Sequence, residues 1–147
     1  MTTVIDKVKT HQQFIGGEWV DSASGKTLDV ENPANGQVIA QVQASGDEDV
    51  DRAVEAAAKA FESWQNSTPQ YRSGMLLKLA DAIEGRADEL GRIESQNAGK
   101  PVGAAIDEMS AVADNLRFFA GAARCMEGKA AGEYLEGYTS MIRREPV

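Results

Sequence analysis

The chain has 147 residues, of which 42% are hydrophobic and 26% charged, about one domain's worth of foldable rather than disordered chain. A net charge of -8 removes the electrostatic grip on a phosphate backbone and argues against nucleic acid as a partner; the only basic pair near the end, Arg143-Arg144, is followed at once by Glu145. The single cysteine, Cys125, excludes an intrachain disulfide and a cysteine-built metal site, and with no run suited to a signal peptide or to the ~20 apolar residues of a membrane span the expected address is the cytoplasm.

Residues 1–12 read as a polar, extended arm. Phe14-Ile15 and Trp19-Val20 flank Gly16-Gly17, the pattern of a hairpin with a tight turn. Residues 21–26 are small and polar and form a loop. Leu28 to Glu31 alternate apolar and polar, as a short strand does, and Asn32-Pro33-Ala34-Asn35-Gly36 is a strong turn signal before a strand over Val38–Val42.

Helical spacing begins at Ser45, which stands three residues before Glu48 as in a capping box, with Asp47 and Asp49 favoured by the helix dipole. Val50, Val54, Ala57, Phe61 and Trp64 then form one apolar stripe. Thr68-Pro69 predicts a second helix, cap followed by proline in the first turn, with Leu76, Leu79 and Ile83 as its core face beside Met75 and Ala80. A third helix is predicted over Ala87–Gln96 with Leu90 and Ile93 inward. Asn97-Ala98-Gly99-Lys100-Pro101 is a stop and restart. The longest helix is predicted from Val102 to Met126, about 37 Å long, with Val102, Ile106, Met109, Val112, Ala113, Leu116 and Phe119 on its inner side. Residues 128–137 read as a glycine-rich loop. Thr139 to Glu145 reads as an extended strand with no local pairing partner, so the chain reads as stopping in mid-fold.

Few residues suggest chemistry. His11 is the one histidine, lies in the polar arm and has no evident acid–base partner. Cys125 falls near the end of the long helix, where the dipole opposes a thiolate, so packing or surface placement is the expectation. Gly99-Lys100 does not make a phosphate loop: Glu94 occupies the place of its first glycine and Pro101 the place of its hydroxyl residue. Most carboxylates, Asp49 among them, fall off the apolar stripes and are expected in solvent. Asp107-Glu108 is the pair of interest, because Glu108 borders an apolar face.

Several segments taken in order carry a family resemblance. They are Phe14-Ile15-Gly16-Gly17-Glu18-Trp19-Val20, Asn32-Pro33-Ala34-Asn35-Gly36, Asp49-Val50 leading to Ala60-Phe61 and Trp64, and Arg72 with Leu76-Leu77, Leu79-Ala80-Asp81 and Ile83-Glu84. Gly99-Lys100-Pro101, Arg117-Phe118-Phe119-Ala120-Gly121 and Ser140-Met141-Ile142-Arg143-Arg144-Glu145-Pro146-Val147 follow. The set resembles the N-terminal part of the NAD(P)-dependent aldehyde dehydrogenase superfamily. Ala122-Ala123-Arg124-Cys125 and residues 132–138 look most like its gamma-aminobutyraldehyde and betaine aldehyde branch.

The resemblance implies an α/β fold: short strands and a hairpin, then several helices including one long one, ending in a bridging strand. It assigns 13–137 to the N-terminal part of a nucleotide-binding domain and 138–147 to the start of the oligomerisation strands, with the catalytic domain absent. It implies oxidation of a small aminoaldehyde, such as 4-aminobutanal, to the acid with NAD. In the family a cysteine attacks the aldehyde to form a thiohemiacetal, backbone and asparagine donors hold the oxyanion, and a glutamate assists hydrolysis. Those residues come later than Val147, Cys125 does not match the nucleophile, and this chain is expected neither to bind NAD alone nor to be active alone.

Glu108 matches an acidic position at the family's substrate tunnel, and Ala111 matches a tunnel-lining position near it. Val30 and Glu31, with Asn97, resemble a monovalent cation site, although Asn97 stands where an acidic ligand is usual. The resemblance also implies homo-oligomer formation through the terminal strand. The competing reading is a non-catalytic binding or oligomerising module; an enzyme of another class lacks signatures here.

Overall fold

The computed structural model describes residues 8–145. Met1–Lys7 of the arm and Pro146-Val147 of the terminal segment lie outside the described residues. The remainder of the arm is not free: β1 (Thr10–His11) pairs in parallel with β5 (Gln37–Gln43), Thr10 opposite Gln41 and His11 opposite Val42. β4 (Thr27–Asn32) pairs antiparallel with the other edge of β5, giving the order β1-β5-β4.

The predicted hairpin is β2 (Gln13–Ile15) with β3 (Glu18–Val20). Gly16 and Gly17 both take positive φ, 64° and 91°, the two-residue turn that matches strand twist and that glycine alone adopts without strain. Cross-strand Phe14 and Trp19 pack with ring centroids 5.1 Å apart. The 32–36 turn closes β4 onto β5: Asn32 Oδ1 accepts from Ala34 N at 2.9 Å and the Asn32 carbonyl from Gly36 N at 2.7 Å.

α1 (Asp47–Trp64) starts one residue later than the Ser45–Glu48 box predicts. Its N-cap is Gly46, which has no side chain to offer, so only the return half of a box forms: Gly46 N donates to Asp49 Oδ2 at 3.1 Å. Ser45 Oγ donates instead to Gln13 Oε1 at 2.6 Å. The α1 stripe is another departure. Val50 and Val54 are 54% and 62% exposed, and the stripe is packed at its far end, where the Trp64 and Tyr71 rings meet edge to face with centroids 5.9 Å apart.

α2 (Pro69–Glu84) begins as predicted, with Thr68 Oγ1 accepting from Tyr71 N at 3.2 Å and proline in the first turn. α3 (Ala87–Ala98) ends on Gly99 at φ 73°, the predicted left-handed cap. α4 (Val102–Ala122) is shorter than predicted, about 31 Å, because the chain leaves the helix at Ala123 and places Cys125 in the turn beyond it.

α4 packs against both α2 and α3, and small residues form the seam. Ala80, Ala105, Ala113 and Ala120 are buried, with Ser73 and Gly91. A Cβ on Gly91 would meet the Ile106 backbone at 2.7 Å, so the α3–α4 approach requires glycine there. The bulky residues expected inside shift outward: Leu79, Ile93, Val102, Val112 and Phe119 are exposed, while Leu76, Ile83, Leu90, Ile106, Met109 and Leu116 are half-buried. Close helix approach through alanine and glycine leaves large side chains at the rim rather than in the seam.

The end of the chain also differs from its reading as a loop and an unpaired strand. Ala130–Leu135 forms β6, which pairs antiparallel with β7 (Tyr138–Met141) around Gly137 at φ 81°. Ile142 N donates to the Lys129 carbonyl at 2.7 Å, and residues 142–145 are not strand.

Candidate functional site

The two faces of α4 have different tasks. Ala105, Met109, Ala113, Leu116 and Ala120 recur at steps of three and four and face α2 and α3. Glu108, Ala111, Asn115 and Phe118 recur on the outward arc, with Asp107 and Asp114 among them and Phe119 at its edge, and all are exposed. Both predicted tunnel residues, Glu108 and Ala111, therefore lie on one outward stripe. The Ala111 carbonyl accepts from Asn115 Nδ2 at 2.9 Å. The Phe118 and Phe119 rings meet edge to face with centroids 5.2 Å apart, and are 66% and 59% exposed. Carboxylates beside an aromatic pair, with Glu108 at the head of the arc, are the chemistry of a surface that holds an apolar molecule with a cationic end.

Two cations brace this helix, and sequence spacing marked neither role. At its start the Lys100 ammonium pairs with Glu108 Oε2, and Glu94 Oε1 of α3 lies 3.6 Å away. The Glu108 bond, partly offset by desolvation, holds the lysine above its ordinary value of 10.5, with Glu94 adding to it. At its end Arg117 donates to Glu84 Oε1 and Oε2 at 2.8 and 2.7 Å and to Asp81 Oδ1 at 2.8 Å, all on α2. The Glu84 bonds, then the Asp81 bond, raise the guanidinium, and Arg117 in turn lowers the Glu84 carboxyl.

Asp49, expected in solvent, is 2% exposed. Its carboxylate accepts from Gln13 Nε2 at 2.8 Å, Ala23 N at 3.0 Å and Gly46 N at 3.1 Å, with Arg52 Nη1 at 3.6 Å. It ties the hairpin, the 21–26 loop and the start of α1. The Gly46 bond lowers its pKa most, against desolvation, and the Ala23, Gln13 and Arg52 contacts add to it. The usable signal was the Gly46–Asp49 spacing, identical to that of Ser45–Glu48 and masked by the absence of a glycine side chain.

Val30, Glu31 and Asn97 lie on elements in contact, since α3 packs against β4 and a Cβ on Gly99 would meet Pro33 Cγ at 2.9 Å. A bulge separates Val30, opposite Ala40, from Glu31, opposite Val38, which leaves Ile39 of β5 without a partner. Such an irregularity disrupts the ladder locally. Among the described residues no group of three or more histidine, cysteine or acidic side chains is arranged around a metal. His11 and Cys125 are exposed. Lys100, at the Gly99-Lys100 corner, is engaged by two carboxylates. No helix of the described residues is long and apolar enough to cross a membrane.

The comparisons with known proteins agree with this architecture. Residues 19–147 match the model of the aldehyde dehydrogenase family. The chain is 43% identical over 121 residues to phenylacetaldehyde dehydrogenase from Pseudomonas fluorescens, covering 80% of this chain and 24% of that protein. It is 36% identical over 140 residues to malonate-semialdehyde dehydrogenase 2 from Geobacillus kaustophilus, covering 95% of this chain and 29% of that protein. The chain thus spans about a quarter of the length of the curated relatives it matches. Among solved structures, betaine aldehyde dehydrogenase from Staphylococcus aureus in complex with NAD+ superposes with a TM-score of 0.88 at 34% identity, covering 92% of this chain and 27% of that one. An NAD-dependent aldehyde dehydrogenase from Sinorhizobium meliloti gives 0.85 at 34% identity, covering 92% and 28%. With a family model matched over most of its length and its strands and helices superposing on the opening part of these enzymes, the chain belongs to the aldehyde dehydrogenase family.

Proposed function

We propose that these residues form the outer flank and one wall of the substrate tunnel of an NAD-dependent aldehyde dehydrogenase that oxidises a small aminoaldehyde, such as 4-aminobutanal, to its acid. On this reading 13–137 belong to the nucleotide-binding domain and 138–147 begin the bridging strands. The observation that carries it is the outward stripe of α4, where Glu108 stands beside Ala111 and the stripe continues to Phe118 and Phe119, turned away from α2 and α3. The aromatic end of the arc suits a short alkyl chain, and the Glu108 carboxylate, with Asp107 beside it and Asp114 further along, suits its ammonium end. NAD, when bound, takes the hydride. The residues described here contribute shape and charge, and the family's nucleophile and oxyanion donors belong to the part of the relatives that this chain does not span.

The bulge between Val30 and Glu31, with Asn97 on the adjoining helix, supports a monovalent cation there. The β6–β7 hairpin, with Leu135, Tyr138 and Met141 exposed, supports assembly into a homo-oligomer, and the address proposed for it is the cytoplasm. The test is NADH formation by the whole enzyme with 4-aminobutanal, butanal and phenylacetaldehyde. Higher kcat/KM for 4-aminobutanal is expected. A preference for phenylacetaldehyde would assign the stripe to an aromatic tail, and no oxidation of any aldehyde would support the alternative of a non-catalytic binding or oligomerising module.

A further inference from the structure

We infer that Lys100 sets how strongly the site selects a cationic aldehyde, by holding Glu108 in an ion pair that the incoming ammonium displaces while Lys100 transfers to Glu94. The inference rests on the reading of Glu108 as the acceptor of the substrate's ammonium group.

The geometry supports an exchange rather than a fixed bridge. Lys100 lies in the corner between α3 and α4, and its backbone is fixed on both sides. Gly99 is in the left-handed region, Pro101 caps α4, and the Lys100 carbonyl accepts from Ser95 Oγ at 2.7 Å. The side chain then has two acceptors, Glu108 Oε2 in contact and Glu94 Oε1 at 3.6 Å. One ammonium faces two carboxylates, so the cluster has room for one more positive charge. When that charge arrives as a substrate ammonium at Glu108, Lys100 keeps a partner in Glu94 and no cation is left bare. Lys100 is 31% exposed and Glu108 51%, so the pair is solvated enough to part at modest cost. Held above 10.5, the lysine remains charged at any working pH, and its competition with the substrate is constant.

Three consequences follow for the ratio of kcat/KM with 4-aminobutanal to kcat/KM with butanal, a neutral aldehyde of similar shape. Lys100→Met frees Glu108 and raises the ratio, by about fivefold or less given the strength of an exposed ion pair. Lys100→Arg keeps the charge and leaves the ratio within about twofold. Glu94→Gln removes the alternative partner and lowers the ratio. Because each ratio is taken within one variant, the folded fraction cancels.

The experiment measures these ratios in the whole enzyme, in the native background and in the Glu108→Gln background. The expected result is a rise with Lys100→Met, a fall with Glu94→Gln, and neither effect once Glu108 is glutamine. If Glu108→Gln lowers the ratio but Lys100→Met and Glu94→Gln leave it unchanged, the exchange is overturned and the functional reading stands. If Glu108→Gln itself leaves the ratio unchanged, the reading of Glu108 as acceptor fails, and the role of Lys100 with it.

Discussion

Arg117 of α4 grips Glu84 of α2 with both arms of its guanidinium, Nη1 to Oε1 at 2.8 Å and Nη2 to Oε2 at 2.7 Å, while Nη2 also reaches Asp81. A planar fork matched to a carboxylate fixes orientation as well as charge, which an ammonium does not. Arg117→Lys is therefore expected to lower the thermal midpoint although the charge is kept. Asp81→Asn, which leaves the fork on Glu84 intact, lowers it less. Thermal melts followed by circular dichroism at one protein concentration give the order, and equal midpoints for Arg117→Lys and the native chain would contradict it.

At Gly91 the backbones of α3 and α4 approach closely. A methyl group there would stand 2.6 Å from Ile106 Cγ1 and 2.7 Å from the Ile106 Cα and N atoms. Backbone cannot yield as a rotamer does, so Gly91→Ala is expected to cost about 1–3 kcal/mol despite the better helix propensity of alanine. Urea titration should show a lower midpoint. A stabilised variant would mean that the helices are not this close.

Asp49 gives the fold an acid limit. Its folded pKa lies below the ordinary value of 3.8, so its contribution is complete above that value and is lost as the pH falls through the lower folded value. Glu84, Asp88 and Glu89, lowered by Arg117, Arg92 and Arg86, act in the same direction. Urea midpoints measured from about pH 5 down to about pH 2 should fall, and Asp49→Asn should flatten that fall. An acid limb as steep in Asp49→Asn as in the native chain would remove Asp49 from this role.

The 147-residue chain on its own is expected to self-associate or to be partly molten. Val50 and Val54 of α1 and Phe118 and Phe119 of α4 are each more than half exposed. Sedimentation velocity should show mass increasing with concentration. A monomer that melts cooperatively across the same range would contradict this.

Four turns and helix boundaries were legible in the sequence because they depend on local chemistry, whereas the Ser45–Glu48 box did not mark the start of α1. Gly16-Gly17, Asn32 to Gly36, Thr68-Pro69 and Gly99 each take the conformation that their side chains, or lack of them, favour. The faces were less legible. Hydrophobic spacing marked Val50, Leu79, Ile93 and Phe119 as inward, whereas the seam runs through Ala80, Gly91, Ala105 and Ala113. Periodicity reports that a face is apolar, not which neighbour covers it. β6 was read as a loop because Gly128, Gly132 and Gly137 suggest turns, while its pairing depends on β7. Of the candidate site, Glu108 and Ala111 were singled out through the family pattern and share an exposed arc of α4. Lys100 and Arg117 gave no signal as braces, because their partners come from across a corner and from a different helix.

The central claim is that Glu108, on the outward stripe of α4, receives the cationic end of an aldehyde. Its most direct test is steady-state NADH formation by the whole enzyme and its Glu108→Gln variant with 4-aminobutanal and with butanal. With Glu108→Gln, kcat/KM for 4-aminobutanal is expected to fall about tenfold, the scale of one charge-assisted contact, with a much smaller change for butanal. Equal losses with both aldehydes, or no loss with either, would contradict it.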